Sequence, residues 1–164
     1  MLKRHVDKVK SANAKNPSSL SVSDLERYTQ DWLFDGEFHS HSPKTTQTRR
    51  IFVKNLLWFL TQYVHSTCGK QELKGIEAIS PASLLASLLA YSTCGKQELK
   101  AFFIYLSQPQ PQGRWGSLRF TQPSRPVSIK DYFMNFRIMF RWFLSEGLSE
   151  ASPMDALPLS LPEF

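Results

Sequence analysis

The stretch Arg125–Leu157, RPVSIKDYFMNFRIMFRWFLSEGLSEASPMDAL, carries the strongest helical signal in the chain. Ile129, Tyr132, Phe133, Phe136, Phe140 and Phe143 recur at helical steps, which stacks them on one face of an α-helix. The spacing predicts a helix from Ser128, with Asp131 at the capping-box position and Gly147 as its stop. Lys130, Arg137 and Arg141 fall away from much of the apolar stripe. Ser152-Pro153 opens a short further turn, and PLSLPEF (158–164) reads as an extended linker.

Upstream, residues 108–126, QPQPQGRWGSLRFTQPSRP, break every period with proline and glycine. They form a long loop in which Arg114, Arg119 and Arg125 stand beside Trp115 and Phe120. Before it, Leu99, Phe102, Phe103 and Leu106 give a helix that ends ahead of Pro109. Ser80-Pro81 starts a short Leu-rich helix at about 81–91. Ser42-Pro43 starts a long one, with Ser as N-cap and Pro at the first helical position. Phe52, Leu56, Phe59, Leu60 and Tyr63 form its stripe. Ser23-Asp24-Leu25-Glu26 reads as a capping box for the first helix, whose Leu25, Tyr28, Trp32 and Leu33 share a face and which Gly36 ends. Residues 1–20 read as a flexible basic arm. No strand pattern emerges. The expected fold is all-α, a single helical domain over 21–157.

The 164 residues suffice for one domain, and 41% hydrophobic with 21% charged content is ordinary for a globular chain. Twenty Lys and Arg against fourteen Asp and Glu leave a net charge of +6, which favours a polyanionic partner. The start is charged throughout and lacks the apolar core of a signal peptide. No apolar run is long enough to span a bilayer. Two cysteines make no disulfide framework, so the expected compartment is the reducing cytoplasm.

Lys44, Arg49, Arg50 and Lys54 crowd the first half of the Pro43 helix. The helix dipole favours cations at the other end, so this placement points to phosphate rather than to solubility. With the Arg-rich aromatic loop, it suggests a DNA clamp in which Arg and Lys neutralise phosphates. The bland alternative is an ordinary solvated face. His39-Ser40-His41 has no third ligand nearby, Cys68 and Cys94 each lack a second ligand at metal spacing, and no phosphate-binding loop occurs. No metal, cofactor or small-molecule substrate is expected.

The order of elements resembles the N-terminal core-binding domain of tyrosine recombinases, the phage-integrase family. SPKTTQTRRIFVKNLLWFL (42–60) resembles its "S-P-x-T-x-x-x-Y/R" helix, KQELKAFFIYLS (96–107) its middle helix, and Arg125–Leu157 its last helix and the turn leading toward the catalytic domain. The resemblance covers about residues 20–162. It implies a four- to five-helix orthogonal, SAM-like bundle that closes over double-stranded DNA at a recombination core site, with other protomers on the same DNA. By matching positions, the Pro43 helix supplies Lys44, Thr45, Thr48, Arg49 and Arg50, and the last helix supplies Lys130, Asn135, Arg137 and Arg141. Arg114, Arg119 and Arg125 are added as loop phosphate contacts, and Lys54 from the charge cluster. Replacing Arg49 and Arg141 together is expected to weaken DNA binding without unfolding the bundle. In the family, catalysis belongs to a second domain with a His-x-x-Arg pair and a tyrosine nucleophile. No histidine here has arginine three residues on, so the chain is expected not to cut or join DNA. The rival expectation is a helical protein-interaction or oligomerisation module, using the Leu84–Leu89 face.

One feature stands outside this pattern. STCGKQELK occurs at Ser66–Lys74 and again, unchanged, at Ser92–Lys100. A structural repeat keeps its apolar pattern and varies its surface, whereas here nothing beyond the nine residues is shared. The segment 66–100 is therefore expected to contain an insertion between direct repeats.

Overall fold

A computed structural model describes residues 19–67 and 93–157. In chain order these form β1 (Leu20–Ser21), α1 (Val22–Phe38), α2 (Pro43–Thr67), β2 (Thr93–Cys94), α3 (Lys96–Ser107) and α4 (Pro126–Ser145). The described part is mostly helical, as expected. The Leu-rich helix at 81–91, most of the first repeat copy, the basic arm up to residue 18 and the 158–164 linker lie outside the described residues.

The sequence showed no strand, yet Leu20 pairs with Cys94 and Ser21 with Thr93 in a two-residue antiparallel ladder. So short a strand leaves no periodicity to read. It ties the start of α1 to the second repeat copy. Thr67, in the first copy, closes α2 as helix, while its counterpart Thr93 is extended. At Thr67 and Thr93, the one repeat position described in both copies, the same residue takes two conformations.

Ser21, not Ser23, caps α1. Its backbone is extended (φ −63°, ψ 149°) and its hydroxyl accepts from the Asp24 amide at 3.1 Å. Nor does Gly36 end this helix. The stop is a Schellman closure in which the His41 N–H reaches the Gly36 carbonyl (3.0 Å) and the Ser40 N–H the Glu37 carbonyl (3.1 Å). Ser40 takes the left-handed conformation (φ 59°) that the closure needs. At the far end of α4 the same closure is made by Gly147 (φ 70°), with the Leu148 N–H on the Phe143 carbonyl at 2.9 Å. That glycine stop was readable.

Ser42 caps α2 as expected, accepting from the Thr45 amide at 3.1 Å. In α3, Gly95 is the cap residue, and the Glu98 carboxylate reaches back to accept its N–H at 2.9 Å. Helix α4 begins at Pro126, two residues ahead of Ser128, because proline fits the first helical position without losing a bond. Asp131 therefore lies past the first turn and caps nothing.

The expected stripes form the core. Leu25, Trp32 and Leu33 of α1, Leu56, Phe59 and Leu60 of α2, Leu99, Phe102, Phe103 and Leu106 of α3, and the whole α4 stripe are buried. Val53 and Met139 join them, while Tyr28, Phe52 and Tyr63 stay half-buried. Two contacts fasten α2 to α4: Phe52 stacks on Tyr132 at 3.9 Å, and the buried Asn55 amide donates to the Tyr132 hydroxyl at 2.7 Å. Burial raises the Tyr132 pKa, opposed by that bond and by the positive charge of Arg114. After α4 the chain turns back so that Ser152, Met154 and Leu157 are buried.

Candidate nucleic-acid interface

The residues expected to meet DNA separate into three groups. The first lies on the early turns of α2. Lys44 and Thr45 are exposed, and the Thr45 hydroxyl sits 2.9 Å from that of Ser42; Thr48 is half-buried. Arg49 turns toward α1, where its guanidinium lies 4.6 Å over the Trp32 ring and donates to His41 Nδ1 at 3.0 Å. Its Nε is buried without a partner among the described residues, and burial pulls its pKa below the usual value. Gly36 makes this arrangement possible, since a Cβ there would stand 2.9 Å from His41 Nδ1. Arg50 pairs with Glu37 of α1. Lys54 is exposed and lines an open cleft of about 530 Å³ between α1 and α2, together with Gln30, Phe34 and Leu57.

Arg49 is thus half a structural residue, which the sequence could not show: its stacking partner and its acceptor come from another helix and a turn. Arg49→Ala is expected to lower stability by about 1 kcal/mol through loss of the stacked cation. Arg141→Ala is expected to stay within about 0.5 kcal/mol. Thermal melting of the two single variants checks this, and equal midpoints would show that Arg49 adds no stability.

The second group lies on α4. Lys130, Arg137 and Arg141 are spaced by seven and four residues, so they share one helical stripe extending about 16 Å along the axis. Lys130 and Arg141 are exposed and Arg137 half-buried, with Met134 and Ile138 exposed among them. None of the three cations has an ion pair among the described residues. Asn135 is half-buried, and its amide donates back to the Asp131 carbonyl at 2.9 Å.

The third group is the loop between α3 and α4. Arg119 and Arg125 are exposed and without an ion pair among the described residues, and Arg125 is the cap residue of α4. Arg114 corrects the expectation. It is only 6% exposed, and its Nη1 donates to the Gln122 carbonyl of its own loop. A buried guanidinium held this way supports the loop and is not presented to phosphate. Between Glu98 and Asp131 the chain carries Lys100, Arg114, Arg119, Arg125 and Lys130, and not one carboxylate.

Among the described residues no three His, Cys, Asp or Glu side chains gather as a metal site. His39 Nδ1 lies 2.9 Å from the Asp35 carbonyl, whereas His41 faces Arg49. Cys94 is fully buried, and burial with the nearby Glu98 charge pushes its thiol pKa far up. It is a neutral core side chain; Cys68 lies outside the described residues. None of the described helices is long and apolar enough to cross a membrane. No protein-family model, no curated protein and no solved structure matches the chain.

Proposed function

We propose that the chain is a non-catalytic, cytoplasmic DNA-binding domain, the SAM-like core-binding part of a tyrosine recombinase, which holds double-stranded DNA at a recombination core site. The observation that carries the DNA reading is the cationic stripe of α4, unpaired among the described residues. Arg125 and Arg119 precede it in sequence, in a segment that has no carboxylate. Cations in that setting keep their whole charge for a polyanion, and each phosphate they neutralise releases a counterion. Lys44 and Lys54 add exposed positive charge on α2, whereas Arg50 is already committed to Glu37. The recombinase assignment is supported by the element order and by the sequence of Arg125–Leu157.

Anisotropy titration of a labelled duplex at two salt concentrations tests the reading. The wild type is expected to bind non-specifically with a Kd on the order of 10⁻⁴ to 10⁻⁶ M at physiological salt. Replacing Lys130, Arg137 and Arg141 together with alanine is expected to lower the salt slope by about three, one for each phosphate left without its cation. Absent or salt-independent binding sinks the proposal.

A second reading, a protein-interaction module, is favoured by the α1–α2 cleft. Phe34 lines it at 70% exposure, and Phe38, one turn further along α1, is 76% exposed. Self-association without DNA, measured by light scattering and abolished on replacing both phenylalanines with serine, distinguishes this reading from the first.

A further inference from the structure

The loop between α3 and α4 is built as two consecutive turns that face opposite ways. In the first, 114–117, Trp115 (φ 59°) and Gly116 (φ 69°) are the central residues, closed by the Ser117 N–H on the Arg114 carbonyl at 3.0 Å. Two positive φ values in succession mark the primed type of β-turn, a conformation that tryptophan rarely adopts. This turn sends the Trp115 ring inward, to 5.7 Å from Trp58, 5.9 Å from Tyr105 and 6.0 Å from Phe102. In the second turn, 117–120, the Phe120 N–H reaches the Ser117 carbonyl at 3.3 Å and the Arg119 N–H reaches the Ser117 hydroxyl at 3.3 Å. This turn leaves Leu118 77% exposed and Phe120 45% exposed, with the exposed Arg119 between them.

The backbone around this tip is pinned. The Arg114 N–H on the Phe120 carbonyl (2.9 Å) joins the two turns. The Gln110 N–H on the Thr121 carbonyl closes the base of the loop, and the Ser124 N–H on the Leu106 carbonyl fastens it to α3, both at 2.8 Å. The buried Arg114 guanidinium braces the loop from within through Gln122. Single apolar side chains on a surface need no partner. Leu118 and Phe120 differ, because a hydrogen-bonded double turn anchored by a tryptophan holds both in water and cannot fold them away.

We propose that this tip is a wedge for duplex DNA: Leu118 and Phe120 enter the minor groove and part a base step, while Arg119 meets the groove's negative potential. The proposal rests on the DNA-binding reading above. Leucine and phenylalanine are among the side chains that can unstack a step in this way, and the groove's potential attracts arginine. Charge selects the occupant, since the tip lies in the segment between Glu98 and Asp131 that holds cations only.

The test uses the full 164-residue chain and a duplex carrying 2-aminopurine beside a central TA step, which unstacks easily. Binding of the wild type is expected to raise the probe's emission as its stacking is broken. The variant Leu118→Ser, Phe120→Ser is expected to bind the same duplex with an unchanged salt slope, because every phosphate keeps its cation, and to show no emission rise. If melting shows the double variant unfolded, Leu118→Ser alone is read, with a reduced rise expected. Wild-type binding without an emission change, or a folded variant that keeps the full rise, overturns the wedge and leaves DNA binding intact. A wild type that binds no duplex at low salt overturns both. Vesicles of phosphatidylcholine and phosphatidylglycerol form a third arm. If the wild type binds them, the variant does not, and the probe stays dark, the tip is a membrane-contact surface and the proposal falls.

Discussion

Replacing Phe102 with alanine is expected to lower the folding free energy by about 3–5 kcal/mol, the range for a fully buried phenylalanine. The ring is inaccessible to solvent and is the meeting point of three helices and the loop. It lies 5.4 Å from Phe59 of α2, 5.6 Å from Phe103 beside it, 6.0 Å from Trp115 of the loop, and 5.5 and 5.6 Å from Tyr132 and Phe136 of α4. Alanine leaves a void lined by large, rigid rings, and rings of that shape collapse into a gap less easily than a flexible methionine does. Against a total stability of about 5–15 kcal/mol, such a loss can remove most of the margin. Urea unfolding reads it as a lower midpoint. Phe38→Ala, at a site 76% exposed, is the control and is expected to change stability by no more than about 0.5 kcal/mol. A Phe102→Ala midpoint close to that of the control would show that the aromatic cluster is not the core.

That core was legible in the sequence because burial imposes a period. Residues Ile129 to Phe143 could be assigned to one face without knowing what they face, and the stripes of α2 and α3 followed the same rule. The helix ends were less legible. Gly36 looked like a stop, but it is glycine because His41 approaches it; the left-handed residue that closes α1 is Ser40, whose type gives no such signal. Ser21 and Ser23 both precede Asp24, and only the pairing of β1 with Thr93–Cys94, far along the chain, distinguishes them. The candidate interface was half legible. Charge and helical spacing marked Lys130, Arg137 and Arg141 as one stripe, since both are local properties. Nothing local marks Arg49 as stacked on Trp32, Arg50 as paired with Glu37, or Arg114 as buried. Those three depend on neighbours that only the folded chain supplies.

Gly113 sets the other large effect, and it concerns the loop that carries both the half-buried Trp115 and the exposed tip. Its φ of +80° is one that side-chain-bearing residues rarely adopt, which by itself costs a substituted residue about 1–3 kcal/mol. A Cβ at this position would also stand 2.0 Å from the Ser117 carbonyl oxygen, 2.5 Å from its carbon and 2.9 Å from the Leu118 nitrogen. All three are backbone atoms, so no rotamer change relieves the clash. The double turn has to open, taking with it the Arg114–Phe120 backbone bond and the seat of Trp115 against Trp58 and Tyr105. Gly113→Ala is therefore expected to cost more than the strain alone, since part of the packing of the half-buried Trp115 is lost with it. Gly116→Ala separates the two causes. Its φ is +69°, but a Cβ there meets nothing within 4 Å, so only the backbone penalty of about 1–2 kcal/mol applies. Unfolding titrations of the two variants followed by tryptophan emission should give a much lower midpoint for Gly113→Ala, with a red-shifted native spectrum as Trp115 becomes wet. Equal midpoints and unshifted spectra would mean that the close approach of Gly113 to Ser117 is not what seats the tryptophan, and that the exposed tip is held by its hydrogen bonds alone.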